Sequence, residues 1–126
     1  MEFEDITDII IGGAYRVYNT MGFGFLESVY EKCMLIELAK AGIEAASQKP
    51  VPVYYNDELV GDFRADIVVG DSVIVELKSV SAITKAHEVQ LVNYLVATNI
   101  QLGLLINFGE QKVEIKRKYK TFDRQD

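Results

Sequence analysis

Asp66, Glu76 and Lys78 are the residues with the clearest chemical potential, set in the largely apolar stretch RADIVVGDSVIVELKSV. Glu-x-Lys occurs three times in the chain, as Glu76-Leu77-Lys78, Glu110-Gln111-Lys112 and Glu114-Ile115-Lys116. Only the first interrupts an otherwise apolar run, where charges are strongly unfavourable unless something compensates them. Strand alternation places Glu76 and Lys78 on one face, with Val73, Val75 and Leu77 on the other. In the preceding run Arg64, Asp66 and Val68 share a face opposite Ala65, Ile67 and Val69. A three-residue loop of Gly70-Asp71-Ser72 pairs Val69 with Val73 and sets Asp66 opposite Glu76. It also aligns Ile67 with Val75 and Ala65 with Leu77. A two-residue loop would move the acids to opposite faces, so the hydrophobic pattern selects the first register. Two carboxylates then stand about 5 Å apart at Cβ, an unfavourable like-charge pair. A hard divalent cation removes that repulsion, and Mg²⁺ is commonly held by one or two carboxylates with water and phosphate. The structural alternative is that Arg64 and Lys78 neutralise the two acids as cross-strand ion pairs.

The elements that must position these groups follow from periodicity. Residues 4–19 read as a helix, with Ile6, Ile10, Gly13 or Ala14, and Val17 at helical spacing. Gly22 and Gly24 break the chain around Phe23. A second helix is expected over 25–41, with Leu26, Val29, Tyr30, Cys33, Met34 and Leu38 inward and Gly42 closing it. Pro50 and Pro52 mark 45–55 as an irregular or edge strand, followed by a turn at Asn56-Asp57-Glu58. Residues 59–69 and 73–80 are strands, 84–98 a helix, 102–108 (LGLLINF) a buried strand, and 113–118 a polar-edged strand. The order α-α-β-β-β-α-β-β implies an α/β fold with a mixed sheet, and a parallel crossover from 73–80 to 102–108.

The 126 residues suit one domain spanning the whole chain, 1–126. There is no apolar run long enough to span a membrane, and the acidic start MEFEDITDIII does not resemble a signal peptide. A single cysteine, Cys33, on the apolar stripe of a helix is expected to be core filler, and a reducing cytoplasm is its simplest home. The formal charge of −6 is unlike the basic footprint of most nucleic-acid proteins. Its distribution is uneven, however. Glu2, Glu4, Asp5 and Asp8 crowd the start, whereas Lys112, Lys116, Arg117, Lys118, Lys120 and Arg124 crowd the end. The basic end fits either a phosphate contact or an edge strand guarded by lysines.

Further motifs converge on one family. Gly24-Phe25-Leu26-Glu27-Ser28-Val29-Tyr30 is similar to the signature of the GxxExxY protein family, a branch of the PD-(D/E)XK nuclease superfamily. The resemblance continues in order through Asp66, Glu76-Leu77-Lys78, Gln90-Leu91-Val92-Asn93-Tyr94-Leu95 and Gly103-Leu104-Leu105-Ile106-Asn107-Phe108-Gly109. Ala65 stands where the superfamily's name has proline. The resemblance implies a restriction-endonuclease-like core and an Mg²⁺ or Mn²⁺ site. By likeness to the RecB-like branch, Glu27 would complete the metal-binding acids, and Gln90 and Tyr94 would orient substrate or catalytic groups. Glu27 falls in the first turn of its helix, where the dipole favours a carboxylate. His87, Gln90 and Tyr94 recur at i, i+3 and i+7, opposite Val89, Val92 and Val96. A lone histidine is more often structural than catalytic.

The expected function is metal-dependent phosphodiester hydrolysis, with DNA as substrate. Asp66 and Glu76 would ligate the ion, the Leu77 carbonyl could add an oxygen, and Lys78 would orient water or stabilise the transition state. The rival is a non-catalytic module that binds nucleic acid or protein on a nuclease scaffold and could form a homodimer. A metal-dependent hydrolase of small phosphate esters would use the same residues. Cys/His metal spacing and a Gly-rich phosphate loop are both absent from the sequence.

Overall fold

The computed structural model describes residues 3–121, so Glu2 and Arg124 lie outside the described region. Among the described residues, no helix is long and apolar enough to cross a membrane. Two helices come first, α1 (Phe3–Met21) and α2 (Glu27–Lys40), then strands β1 (Ala45–Tyr55), β2 (Glu58–Val69) and β3 (Val73–Lys78). Helix α3 (Lys85–Thr98) leads into β4 (Leu102–Phe108) and β5 (Val113–Tyr119). The expected order is thus the observed one. The five strands form one sheet in the order β1-β2-β3-β4-β5, antiparallel except for the parallel β3/β4 pair that α3 connects.

Each sheet face receives its own helix layer. Val73, Val75 and Leu77 of β3 pack with Ile67 and Val69 against Ile10 and Ala14 of α1 and Met34 of α2. Ile74 points the other way and packs with Val68, Leu105, Leu91 and Leu95 under α3. Period-two alternation in β3 therefore sends Glu76 and Lys78 to the α3 side. Gly103 lets α3 settle there, because a Cβ at this position would stand 2.8 Å from the Leu91 Cδ1.

The helices bury narrower stripes than their hydrophobicity suggests. Ile6, Ile10, Ala14 and Val17 of α1 are buried as expected, but α2 buries only Tyr30, Met34 and Leu38. Leu26, expected inward, is 76% exposed, because it precedes the first helical turn and serves as the N-cap residue. Cys33 is half-buried at the margin of the core. On α3 the inward residues are Leu91 and Leu95, whereas Val89 and Val96 face solvent, a correction to the expected apolar face.

The Gly24-to-Tyr30 segment has a structural explanation. Tyr30 is fully buried and stacks on Phe108 at a centroid distance of 4.2 Å. Its hydroxyl donates to the Gly22 carbonyl and accepts from the Phe25 N–H. Gly22 and Gly24 adopt φ of +71° and +113°, so the loop can turn back on the helix that follows it. Tyr30 thus buckles the loop to α2. The Ser79 hydroxyl ties the same loop to the end of β3 by donating to the Phe25 carbonyl at 2.7 Å.

Candidate metal centre

The expected hairpin register is the observed one: Val69 pairs with Val73, Val68 with Ile74 and Ile67 with Val75, around the Gly70-Asp71-Ser72 loop. Beyond Ile67 the ladder stops, while β2 continues to pair with β1 as far as Glu58. Asp66 occupies the point of divergence. Its Oδ2 accepts from the Leu77 N–H at 2.8 Å, replacing the carbonyl that a continued ladder would have supplied. Ala65 therefore does not sit beside Leu77 as expected. It joins the cluster under α3 instead. The reason lies on β1, where Gln48 has φ of +51° and the regular pairing skips Gln48 and Asp66.

Glu76 is 8% exposed, in the middle of the most buried strand segment that carries charge, and its Oε1 is buried without a hydrogen-bond partner. Burial first, then its hydrogen bond with Asp66 and the Asp66 charge, push its pKa up to about 9, against an opposing pull from Lys78. The two carboxyl groups therefore do meet. An orphaned acidic oxygen beside a second carboxylate is a site that a divalent cation would satisfy. Zinc does not fit, since its sites use four Cys, His or acid ligands or three with an open position. Among the described residues no three His, Cys, Asp or Glu side chains gather into a metal-binding group. The protein side of the site is a carboxylate pair.

Neither cross-strand ion pair of the structural alternative forms. Arg64 donates instead to the Gln48 carbonyl at 3.0 Å, and Lys78 makes no ion pair within 4.0 Å among the described residues. Lys78 is half-buried on β3, opposite Asn107 of β4. Its charge nevertheless reaches Glu76, which it stabilises in the ionised form.

On α2, Glu27 is exposed, and Glu31 one turn later is linked to the pair through Gln48. Glu31 Oε1 accepts from the Gln48 amide at 2.6 Å, and the same amide lies 3.4 Å from Asp66 Oδ1. Partial burial raises the Glu31 pKa, the Gln48 hydrogen bond lowers it, and the Asp66 charge raises it again. Glu27 and Glu31 are four residues apart and share a helix face, which is the signal that could have drawn attention to the second.

Tyr94 lies close to the acids. Burial, followed by the charges of Glu76 and Asp66, raises its hydroxyl pKa above the usual tyrosine value. Its ring stacks on Phe63 at 3.9 Å. Gln90 is exposed and lines the same groove as Tyr94. His87 is occupied elsewhere, at the start of α3. Its Nδ1 accepts from the Thr84 N–H, while Thr84 Oγ1 accepts from the His87 N–H, and the two residues form a reciprocal cap.

Asn107 is a fully buried polar residue that sequence reasoning passed over. Its amide donates to the Val80 carbonyl at 2.9 Å and its oxygen accepts from the Val80 N–H at 3.0 Å. It also donates to Glu114 Oε1, which accepts from the Ile83 N–H. The segment following Lys78 is thus clamped to β4 and β5. A polar side chain interrupting LGLLINF is the same signal that singled out Glu76. We expect Asn107→Ala to destabilise the protein by about 2–4 kcal/mol in urea unfolding, because several buried partners lose their bonds together. Hydrogen exchange at Val80 and Ile83 should accelerate selectively.

The model of the PD-(D/E)XK nuclease superfamily matches residues 4–118. No curated protein matches the sequence. Among solved structures, the chain is similar to the crystal structure of SSO0001, with a TM-score of 0.58 at 16% identity, over 95% of this chain. It spans 61% of that protein's length. That likeness concerns the fold, a mixed sheet between helix layers. The family model covers the hairpin, the helix after it and both halves of the carboxylate pair, and the chain belongs to the PD-(D/E)XK nuclease superfamily.

Proposed function

We propose that the protein is a divalent-metal-dependent nuclease that hydrolyses phosphodiester bonds in DNA. The observation that carries this reading is the buried, partnerless Oε1 of Glu76 beside Asp66, a donor pair that a divalent cation would satisfy. Asp66 and Glu76 would hold Mg²⁺ or Mn²⁺, with the Leu77 carbonyl as a further oxygen and Glu27 or Glu31 contributing through water. When bound, the ion supplies Lewis acidity toward a phosphoryl oxygen and lowers the pKa of water. The order Gly24–Tyr30, Asp66, Glu76–Lys78, Gln90–Tyr94 supports placement in the GxxExxY family and the RecB-like branch.

The chain's own residues then divide the work. Lys78, free of any ion pair among the described residues, carries a positive charge on the same face as Glu76. It orients the attacking water and stabilises negative charge on the phosphoryl oxygens as the water adds to phosphorus and the leaving oxygen departs. Glu31 is positioned by Gln48 to accept a hydrogen bond from ordered water. Tyr94 and Gln90 hold the substrate strand along α3.

Lys78→Ala tests this assignment. DNA cleavage should fall by about 10²-fold or more, whereas Mn²⁺ binding measured by calorimetry should persist, since both carboxylates remain. A variant that cuts DNA as fast as the wild type, in preparations free of contaminating nuclease, would remove Lys78 from the mechanism.

A further inference from the structure

The β1–β2 hairpin runs well beyond the sheet. Ten rungs join the two strands, but only three join β2 to β3. The projecting part leans over α3, and between them lies an open groove of about 710 Å³. It is lined by Tyr54 and Phe63 from the hairpin and by Gln90, Asn93, Tyr94 and Val96 from α3. None of its lining residues carries a charge. Tyr94 connects the groove to the candidate metal centre, since it feels the charges of Glu76 and Asp66. Tyr54 is 62% exposed, so its ring is available to a ligand, and it lines the groove together with the stacked pair Phe63–Tyr94.

We infer that this groove is a slot for an unpaired nucleobase, and that the substrate is therefore single-stranded where it meets the site. This inference rests on the nucleolytic reading above. Three features favour a base over a duplex backbone. Tracking a duplex requires cations aligned with its phosphates, and the groove has none. Aromatic rings supply stacking surfaces that any base can use. Gln90 and Asn93 offer donors and acceptors to the edge of a base, which a paired base would not expose in this way. The volume falls within the range of small-ligand sites, and the acidic balance of the chain is less of an obstacle when stacking carries part of the affinity.

The experiment is fluorescence anisotropy with a labelled single-stranded oligodeoxynucleotide and the duplex of the same sequence, with metal chelated, alongside Mn²⁺-dependent cleavage of both. The expected result is tighter binding of the single strand, weakened about tenfold by Tyr54→Ala and restored by Tyr54→Phe. Tyr55→Ala is the control, because Tyr55 neighbours Tyr54 but does not line the groove. Asn93→Ala should weaken binding to a lesser degree. Cleavage of duplex and single strand alike, or a Tyr54→Ala variant that binds and cuts as the wild type does, overturns the slot and leaves the nuclease reading standing. Sedimentation showing that Tyr54→Ala dissolves a dimer also overturns it, because the arm would then seal a self-association face. Absence of binding and cleavage with either nucleic acid overturns both readings.

Discussion

Glu76→Gln is expected to cut the rate of DNA cleavage severely and, in the metal-free protein, to increase stability above neutral pH. The two effects have one cause. Without a cation, burial and Asp66 hold the Glu76 pKa at about 9, so the folded protein keeps a proton there that the unfolded chain releases near 4.5. The folded state binds more protons throughout that interval, and its stability therefore falls as pH rises from about 4.5 to about 9. By pH 7, which lies 2.5 units above 4.5, the loss is on the order of 3–4 kcal/mol at 1.36 kcal/mol per unit. A glutamine is already neutral, and its amide can donate to Asp66 as the protonated acid does. Urea midpoints of the chelated wild type should thus drop between about pH 5 and about pH 8, while those of the variant stay nearly level. Mn²⁺ should restore the wild type at the higher pH with release of a proton, and leave the variant unchanged. Cleavage by the variant should fall by about 10²–10³-fold. Wild-type stability that rises across this pH interval, or a variant that cuts as fast as the wild type, would refute the assignment of Glu76.

The hairpin is legible in the sequence because burial on both faces leaves one register that keeps Ile67, Val69, Val73 and Val75 together. The meeting of Asp66 and Glu76 follows from it. What alternation cannot supply is the break. One left-handed residue, Gln48 on the neighbouring strand, interrupts the pairing opposite Asp66 and sends Ala65 to the α3 side. That residue is a glutamine, without the glycine or asparagine that usually announces positive φ. The helices show a related limit. Leu26, Val89 and Val96 fit an apolar period, yet they are exposed, because each short helix touches the sheet along a single line of residues spaced about one turn apart. The same uncertainty of one turn separates Glu27, chosen by motif, from Glu31, chosen by packing. Asn107 escapes sequence reading for another reason. A lone amide inside an apolar strand does not say which backbone groups it will meet, and its partners at Val80 and Glu114 come from distant segments.

Asp66 has a structural role as well as a chemical one, and two substitutions should separate them. Its Oδ2 accepts from the Leu77 N–H where β2 leaves β3, and Asp66→Asn retains an oxygen for that bond while removing the charge. The asparagine variant should fold with near wild-type stability, lose cleavage, and bind Mn²⁺ at least about tenfold more weakly. Asp66→Ala should lose the same chemistry and also about 1–3 kcal/mol of stability, because the buried Leu77 N–H is left without a partner. Asp66→Asn should further move Glu76. Removing the Asp66 charge and its hydrogen bond leaves burial as the main influence, so the Glu76 pKa should fall below about 9, toward the ordinary carboxylate value. The pH interval over which the metal-free protein loses stability should narrow accordingly, from its alkaline end. Carbon NMR titration of the Glu76 carboxyl in wild type and variant measures that displacement directly. An unchanged titration would mean that Asp66 and Glu76 do not act as a pair, and the case for a shared cation would lose its electrostatic basis.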